Sequence, residues 1–337
     1  MLGKHLRWLA PVALFTLSGC GSCGGASAAG TSDAAPSASA EGPAGSASPV
    51  ASASAPPAGS TGPFTPPLDV PQILDLGSGR ATAALRAALQ AYGLPFDPAT
   101  LERDCKVDEE GASLDDLEGA AGKYGLEAGL IIVPAEHLLL PEANMLPAIV
   151  IVQAPGDEEE LLLVWRLDGD RVQVMSPRVG RRWLSRAELQ KSLYVHETEL
   201  PASVYREVMG EPAFGLALRA RMTARGVDGA AAQALVARAA ADPGWHGFAA
   251  LDAAVRKVES ESVDGGVDAG AGARLSALLA CAMEKKCVGV PPIPADLWSM
   301  QEGAKGPKGE AQIKVQGTVL LAIAGRAAPD AGAADGP

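Results

Sequence analysis

The stretch Gly79-Arg-Ala-Thr-Ala-Ala-Leu-Arg-Ala-Ala-Leu-Gln-Ala-Tyr-Gly93 reads as a single amphipathic helix. Ala81, Ala84, Leu85, Ala88 and Leu89 fall at the three- and four-residue steps that line one helical face. Gly93 suits the left-handed position that ends a helix. Two more helices follow. Asp97 before Pro98 starts a short one that ends at Cys105. Ser113, with an acid at Asp116, opens another that runs to Tyr124 and stops at Gly125. Beyond Gly125 the pattern becomes extended, with strands expected over 126–133 and 148–153 and a helical turn over 134–140. Residues 160–167 and 171–175 form a hairpin across Asp168-Gly169-Asp170. Ser185 and Glu188 make a capping box for a helix to Ser192, and 194–198 is a last strand. Helices first and an antiparallel sheet afterwards define an α+β domain over 68–200.

Outward from this domain the composition changes. Lys4 and Arg7 precede an apolar run over 8–16 that is too short to cross a bilayer. Leu17-Ser-Gly-Cys20 then resembles a bacterial lipobox, so 1–19 are expected to be a lipoprotein signal peptide and Cys20 the lipid-bearing N-terminus. By the same likeness, the lack of Asp after Cys20 points to the outer membrane of the cell envelope. Residues 20–67 are nearly all Ala, Ser, Gly and Pro, cannot bury a core, and read as a disordered tether.

Toward the other end, 201–262 reads as a helical region with helices over 213–225, 229–241 and 247–260. A Gly/Asp/Ala linker occupies 263–272. A small helix plus β unit spans 273–326, with a helix over 274–286 and short strands over 296–301, 312–316 and 318–324. A disordered tail fills 327–337. Cys281 and Cys287, six residues apart at the end of a helix, are a candidate disulfide for an exported chain. No metal site is expected, because no His or Cys cluster accompanies them, and no cofactor motif occurs. The net charge of −12 argues against a nucleic-acid partner, which needs a concentrated basic surface.

Several phrases of the 68–200 domain occur in a telling order. They are Val70-Pro-Gln-Ile-Leu74, Tyr92-Gly93, Gly111-Ala-Ser-Leu-Asp-Asp-Leu117, Ala120-Ala121, Tyr124-Gly-Leu126, Leu146-Pro-Ala-Ile149 and Gly180-Arg-Arg-Trp-Leu-Ser-Arg-Ala-Glu188. Together they resemble the cysteine-peptidase domain (family C39) of bacteriocin-exporting ABC transporters, which removes double-glycine leader peptides. The resemblance implies a papain-like fold and, as partner, a peptide or protein ligand or an ABC export system.

That family works with a Cys at a helix start, a His, an Asp and a Gln, because a thiolate needs an imidazole, a group that orients it and an oxyanion donor. Carried over position by position, the Cys falls at Arg80, or at Ala81 with a one-residue gap. The Gln falls near Asp75, the His at Glu160 and the Asp at Ser176. All four roles are lost, so no catalytic residue is expected at these positions. Asp75 and Glu160 are candidate partners for the Arg80 cation. The expectation is a degenerate, lipid-anchored domain that binds peptide or a partner of an export or processing system. The alternatives are an active peptidase with a displaced thiol at Cys105, or a structural spacer lipoprotein.

Overall fold

The computed structural model describes residues 65–327 apart from 76, 109–110, 155–157, 262–265, 285–286 and 288. The signal peptide, Cys20 and nearly all of the tether and tail read from the sequence lie outside the described residues. A turn of 3-10 helix, Ser78–Thr82, leads into α1 (Ala83–Ala91). Ala83, Ala84, Leu85, Ala87, Ala88 and Leu89 are all fully buried. The small alanines let the helix axis lie close to the sheet. α2 (Pro98–Asp104) is capped by Asp97, which accepts from the Thr100 N–H, and α3 (Leu114–Lys123) by Ser113, which accepts from the Asp116 N–H.

The first strand, β1 (Leu126–Val133), is followed by β2 (Ala148–Ala154), β3 (Glu158–Asp168), β4 (Arg171–Ser176) and β5 (Gly180–Ser185). Then come α4 (Arg186–Ser192) with a complete Ser185/Glu188 capping box, β6 (His196–Pro201) and five helices. These are α5 (Ala202–Gly210), α6 (Pro212–Ala224), α7 (Gly229–Ala240), α8 (His246–Glu261) and α9 (Ala271–Glu284). The chain finishes with β7 (Met300–Lys305) and the long β8 (Ala311–Arg326). β5 and α5 were not legible in the sequence.

The order across the sheet is β1-β8-β2-β3-β4-β5, and every pairing is antiparallel. This is the α+β architecture expected, with one departure. The last strand of the chain sits between the first two. Thr318 to Arg326 pair with β1, Leu320 to Ala322 also pair with β2, and the earlier half of β8 runs between β6 and β7. The sequence reading had two short strands here, in a unit separate from the 68–200 domain. The structure has one continuous strand, and the described residues fall in one compact unit without a break at 200. Likewise, the strand read over 296–301 starts only at Met300: a 3-10 turn at Ala295–Leu297 precedes β7, which runs to Lys305.

Gly317, which separates the two short strands expected over 312–316 and 318–324, lies within β8 opposite His196. A Cβ at this position would lie 2.4 Å from the Val133 carbonyl oxygen. Glycine is needed there because β8 passes hard against the end of β1.

A buried ionic network ties the C-terminal helices to the β1–β2 connection. Arg221 of α6 is 4 % exposed and forms a fork on Glu259, with Nη2 at 2.6 Å from Oε2 and Nε at 3.1 Å from Oε1. Its Nη1 donates to Asp252 Oδ1 at 2.6 Å and stands 3.2 Å from His137 Nε2. Arg256 bridges Asp252 (3.0 Å) and Glu136 (2.7 Å), and the Ser299 hydroxyl donates to Asp252. Fully buried Asp252 is thus held by two guanidinium groups and a hydroxyl, which is what burial of a carboxylate requires. Further along, Cys281 at the end of α9 is joined to Cys287 by a disulfide.

Candidate functional site

The extended segment before α1 crosses β3, β4 and β5 and delivers the helix start to the end of the hairpin. Trp165 Nε1 donates to the Pro67 carbonyl, the Val70 N–H to Gln173 Oε1, and the Asp75 N–H to the Pro177 carbonyl. The 3-10 turn carrying Arg80 therefore sits beside the β4–β5 turn and the first residues of β3. The four positions singled out in the sequence lie at this junction and fall into two groups.

One group is Asp75 with the helix start. Its Oδ2 accepts from Arg86 Nη1 at 2.6 Å and its Oδ1 from the Gly77 N–H at 3.0 Å. A Cβ on Gly79 would run into the Asp75 carboxylate, so this acid is folded down over the helix start. Asp75 was a candidate partner for Arg80, and the structure pairs it with Arg86 instead. Arg86 is six residues further along and emerges beneath the Asp75 carboxylate, whereas Arg80 is exposed.

The second group is Glu160 with Ser176. The Ser176 hydroxyl donates to Glu160 Oε1. Ser176 Oγ in turn accepts the N–H groups of Arg178 (3.2 Å) and Val179 (3.4 Å), closing the β4–β5 turn. Arg178 Nε stands 3.3 Å from Glu160 Oε2, and its Nη2 donates to Glu158. That hydrogen bond, with Arg178's charge, holds the Glu158 carboxyl below the usual range, and Arg80 adds to it. The Arg80 charge thus faces the Glu158 side of the cluster, although no ion pair joins it to Glu160. Arg178, Glu158 and Arg86 had not been singled out. An arginine directly after Ser176-Pro177 was the available signal, but only the hairpin register brings it back to β3.

Chemically, this junction holds carboxylates, guanidinium groups and the hydroxyls of Ser176 and Thr82, the latter donating to the Gly79 carbonyl. The hydroxyl of Ser176 is buried, 1 % exposed, and fully occupied as a turn-closing donor and acceptor. Nothing among the described side chains here can serve as a thiolate, and no imidazole is within the cluster. Cys105, the other thiol considered, is fully buried at the C-terminal end of α2. Burial, then the nearby charges of Asp104, Asp116 and Glu102, push it up to about 12. A thiol so placed stays protonated at neutral pH and has no helix N-terminus to favour its anion. His137 is committed to Arg221, and His246 packs between the Trp245 and Trp298 rings. Among the described residues no group of three or more His, Cys, Asp or Glu could hold a metal ion. No helix among them is long and apolar enough to cross a membrane.

Helices first and an antiparallel sheet after them, with the site where the helix start meets a strand hairpin, make this an α+β arrangement. Residues 79–194 match the model of the Peptidase C39 family, and this third of the chain is a C39-like peptidase domain. Two solved structures are similar over part of the chain. One is a double-glycine-motif protease from an AMS/PCAT transporter in complex with its leader peptide, 21 % identical, covering 37 % of this chain and 86 % of that one, with a TM-score of 0.33. Another is the peptidase domain of Streptococcus ComA, a bi-functional ABC transporter of a quorum-sensing pathway. It is 18 % identical and covers 36 % of this chain and 90 % of that one, also with a TM-score of 0.33. No curated protein sequence matches the chain. The matched segment ends at Tyr194, so β8, which completes its sheet, lies outside it.

Proposed function

We propose that the C39-like domain binds a peptide, or a partner of an export or processing system, without cutting it. We propose further that Cys20 anchors the chain by lipid to the cell envelope, at the outer membrane. The observation that carries the first part is the content of the site. Arg80, Glu160 and Ser176 stand where the resemblance implies a thiol, an imidazole and a carboxylate, and Glu160, Ser176 and Arg178 are locked to one another. Acyl transfer to a cysteine needs a thiolate and an adjacent base, and this cluster offers neither. A displaced thiol is disfavoured by the burial and raised pKa of Cys105. What such a site retains is charge. Exposed Arg80 at a helix start favours a carboxylate, whether a peptide's acidic side chain or its C-terminus.

The test uses the full chain, because the matched segment lacks its central strand. Double-glycine leader peptides are incubated with the protein and with Cys105→Ala. Binding is read by anisotropy and cleavage by mass. Saturable binding without cleavage, weakened by Arg80→Ala, is expected. Cleavage that disappears in Cys105→Ala would overturn the non-cleaving reading, and absence of any peptide binding would leave only the spacer. Labelling of Cys20 by a fatty-acid probe in bacteria tests the anchor separately, with Cys20→Ser as the variant that should be released.

A further inference from the structure

A second groove lies away from the Arg80 site, where α8 begins and β7 forms an edge of the sheet. One half is a cavity of about 350 Å³ walled by Trp245, His246, Trp298 and Met300. A smaller one of about 220 Å³ adjoins it across Trp298, which lines both. The rings make a continuous aromatic wall: His246 is 5.5 Å from Trp245 and 5.7 Å from Trp298, centroid to centroid. These rings come from the start of α8 and from the chain just before β7, so only the fold assembles them.

The charges of the groove are one-sided. In the smaller half Glu197 is satisfied by Lys314 at 2.7 Å. Asp296 on one side of Trp298 and Glu302 on the other have no cationic partner among the described residues, and both are exposed. Two carboxylates without an ion-pair partner among the described residues, one in each of the two cavities that Trp298 lines, attract a cation that carries an apolar stem, since the ring quadrupole and the acids act in the same direction. β7 pairs with β8 along one side and with no other described strand. An edge strand beside a side-chain pocket is the arrangement by which extended peptides are bound through strand addition.

We propose that this groove binds an extended peptide bearing arginine or lysine, its cation on Trp298 between Asp296 and Glu302 and its backbone along the free edge of β7. The inference is independent of the proposed role of the Arg80 site.

The probe is a fluorescein-labelled peptide of alternating Leu and Arg, titrated into the full chain and read by anisotropy. The same peptide with Glu for Arg and free N-acetylarginine amide are its controls. Expected is saturable binding of the Arg peptide, weakened by about tenfold in Trp298→Ala and in Asp296→Asn with Glu302→Gln, and decreasing with salt. Arg80→Ala should leave it unchanged. Equal binding of the Glu peptide would overturn the proposal, as would the same affinity in the carboxamide variant, whose exposed substitutions leave the fold intact. Arginine amide binding as tightly as the peptide would refute the edge-strand contribution. Loss in Arg80→Ala would place the binding in the other cleft and end the proposal.

Discussion

Removing β8 tests the central claim about the fold, that the chain's last strand completes the sheet of its peptidase-like domain. The perturbation is truncation after Ser299, which deletes β7 and β8 and leaves the whole family-matched segment, 79–194, in place. Ile313, Val315, Val319, Leu320, Leu321 and Ile323 of β8 are buried. At about 1.5–3 kcal/mol for each such side chain, their combined contribution reaches or exceeds the roughly 5–15 kcal/mol by which a whole domain is stable. Among the described residues, β1 would lose its only strand partner, and β2 one of its two. Urea unfolding followed by circular dichroism should show one cooperative transition for the full chain and none for the truncated one. Proteolysis of the truncated chain should begin between β1 and β2. A point variant refines the test. Gly317→Ala places its Cβ 2.4 Å from the Val133 carbonyl and should cost about 1–3 kcal/mol. Gly119→Ala, at an exposed position of α3 with nothing within 4 Å, should stabilise by about 0.5–1 kcal/mol. If the truncated chain unfolds cooperatively at the midpoint of the full chain, β8 is an appendage and the reasoning fails.

Three further outcomes are expected. Asp252→Ala removes the carboxylate shared by Arg221 and Arg256, leaving each with one acid, Glu259 and Glu136, and should cost about 3 kcal/mol in denaturant titrations. A loss below about 1 kcal/mol would mean that the network is solvated rather than structural. His137 is held neutral chiefly by burial, then by Arg221, with its pKa lowered from 6.5 to about 3. The unfolded chain therefore takes up the proton first. The stability tied to His137 is complete above about pH 6.5 and is lost as pH falls toward about 3, at up to about 1.4 kcal/mol per pH unit. His137→Gln should flatten that slope relative to the parent in denaturation midpoints taken across the window. Native Cys105 should resist a thiol reagent at pH 8 and react only as the chain unfolds. Rapid labelling under native conditions would contradict both its burial and its raised pKa.

By itself the amino-acid sequence determined the fold class of the 68–200 domain and its local elements other than β5. Caps and turns are short-range devices: Ser113, Ser185 and the Asp168-Gly169-Asp170 turn act within a few residues of themselves, so they can be read in place. The same holds for the absence of a thiol from the Gly79–Gly93 stretch, which is a matter of composition alone. Partnership was not legible. Asp75 chose Arg86 over Arg80, and Glu160 met Ser176 and Arg178, because strand register and helix orientation, not sequence spacing, set which charges approach. Only the tertiary structure decided that residues 318–326 belong beside 126–133. Residues 317–321 are buried without a break and so carry no alternation to announce their neighbours, and no local signal spans nearly two hundred residues. The aromatic groove at Trp245 and Trp298 has the same origin. Its two indoles are over fifty residues apart in the chain, and packing of α8 against the approach to β7 makes them one surface.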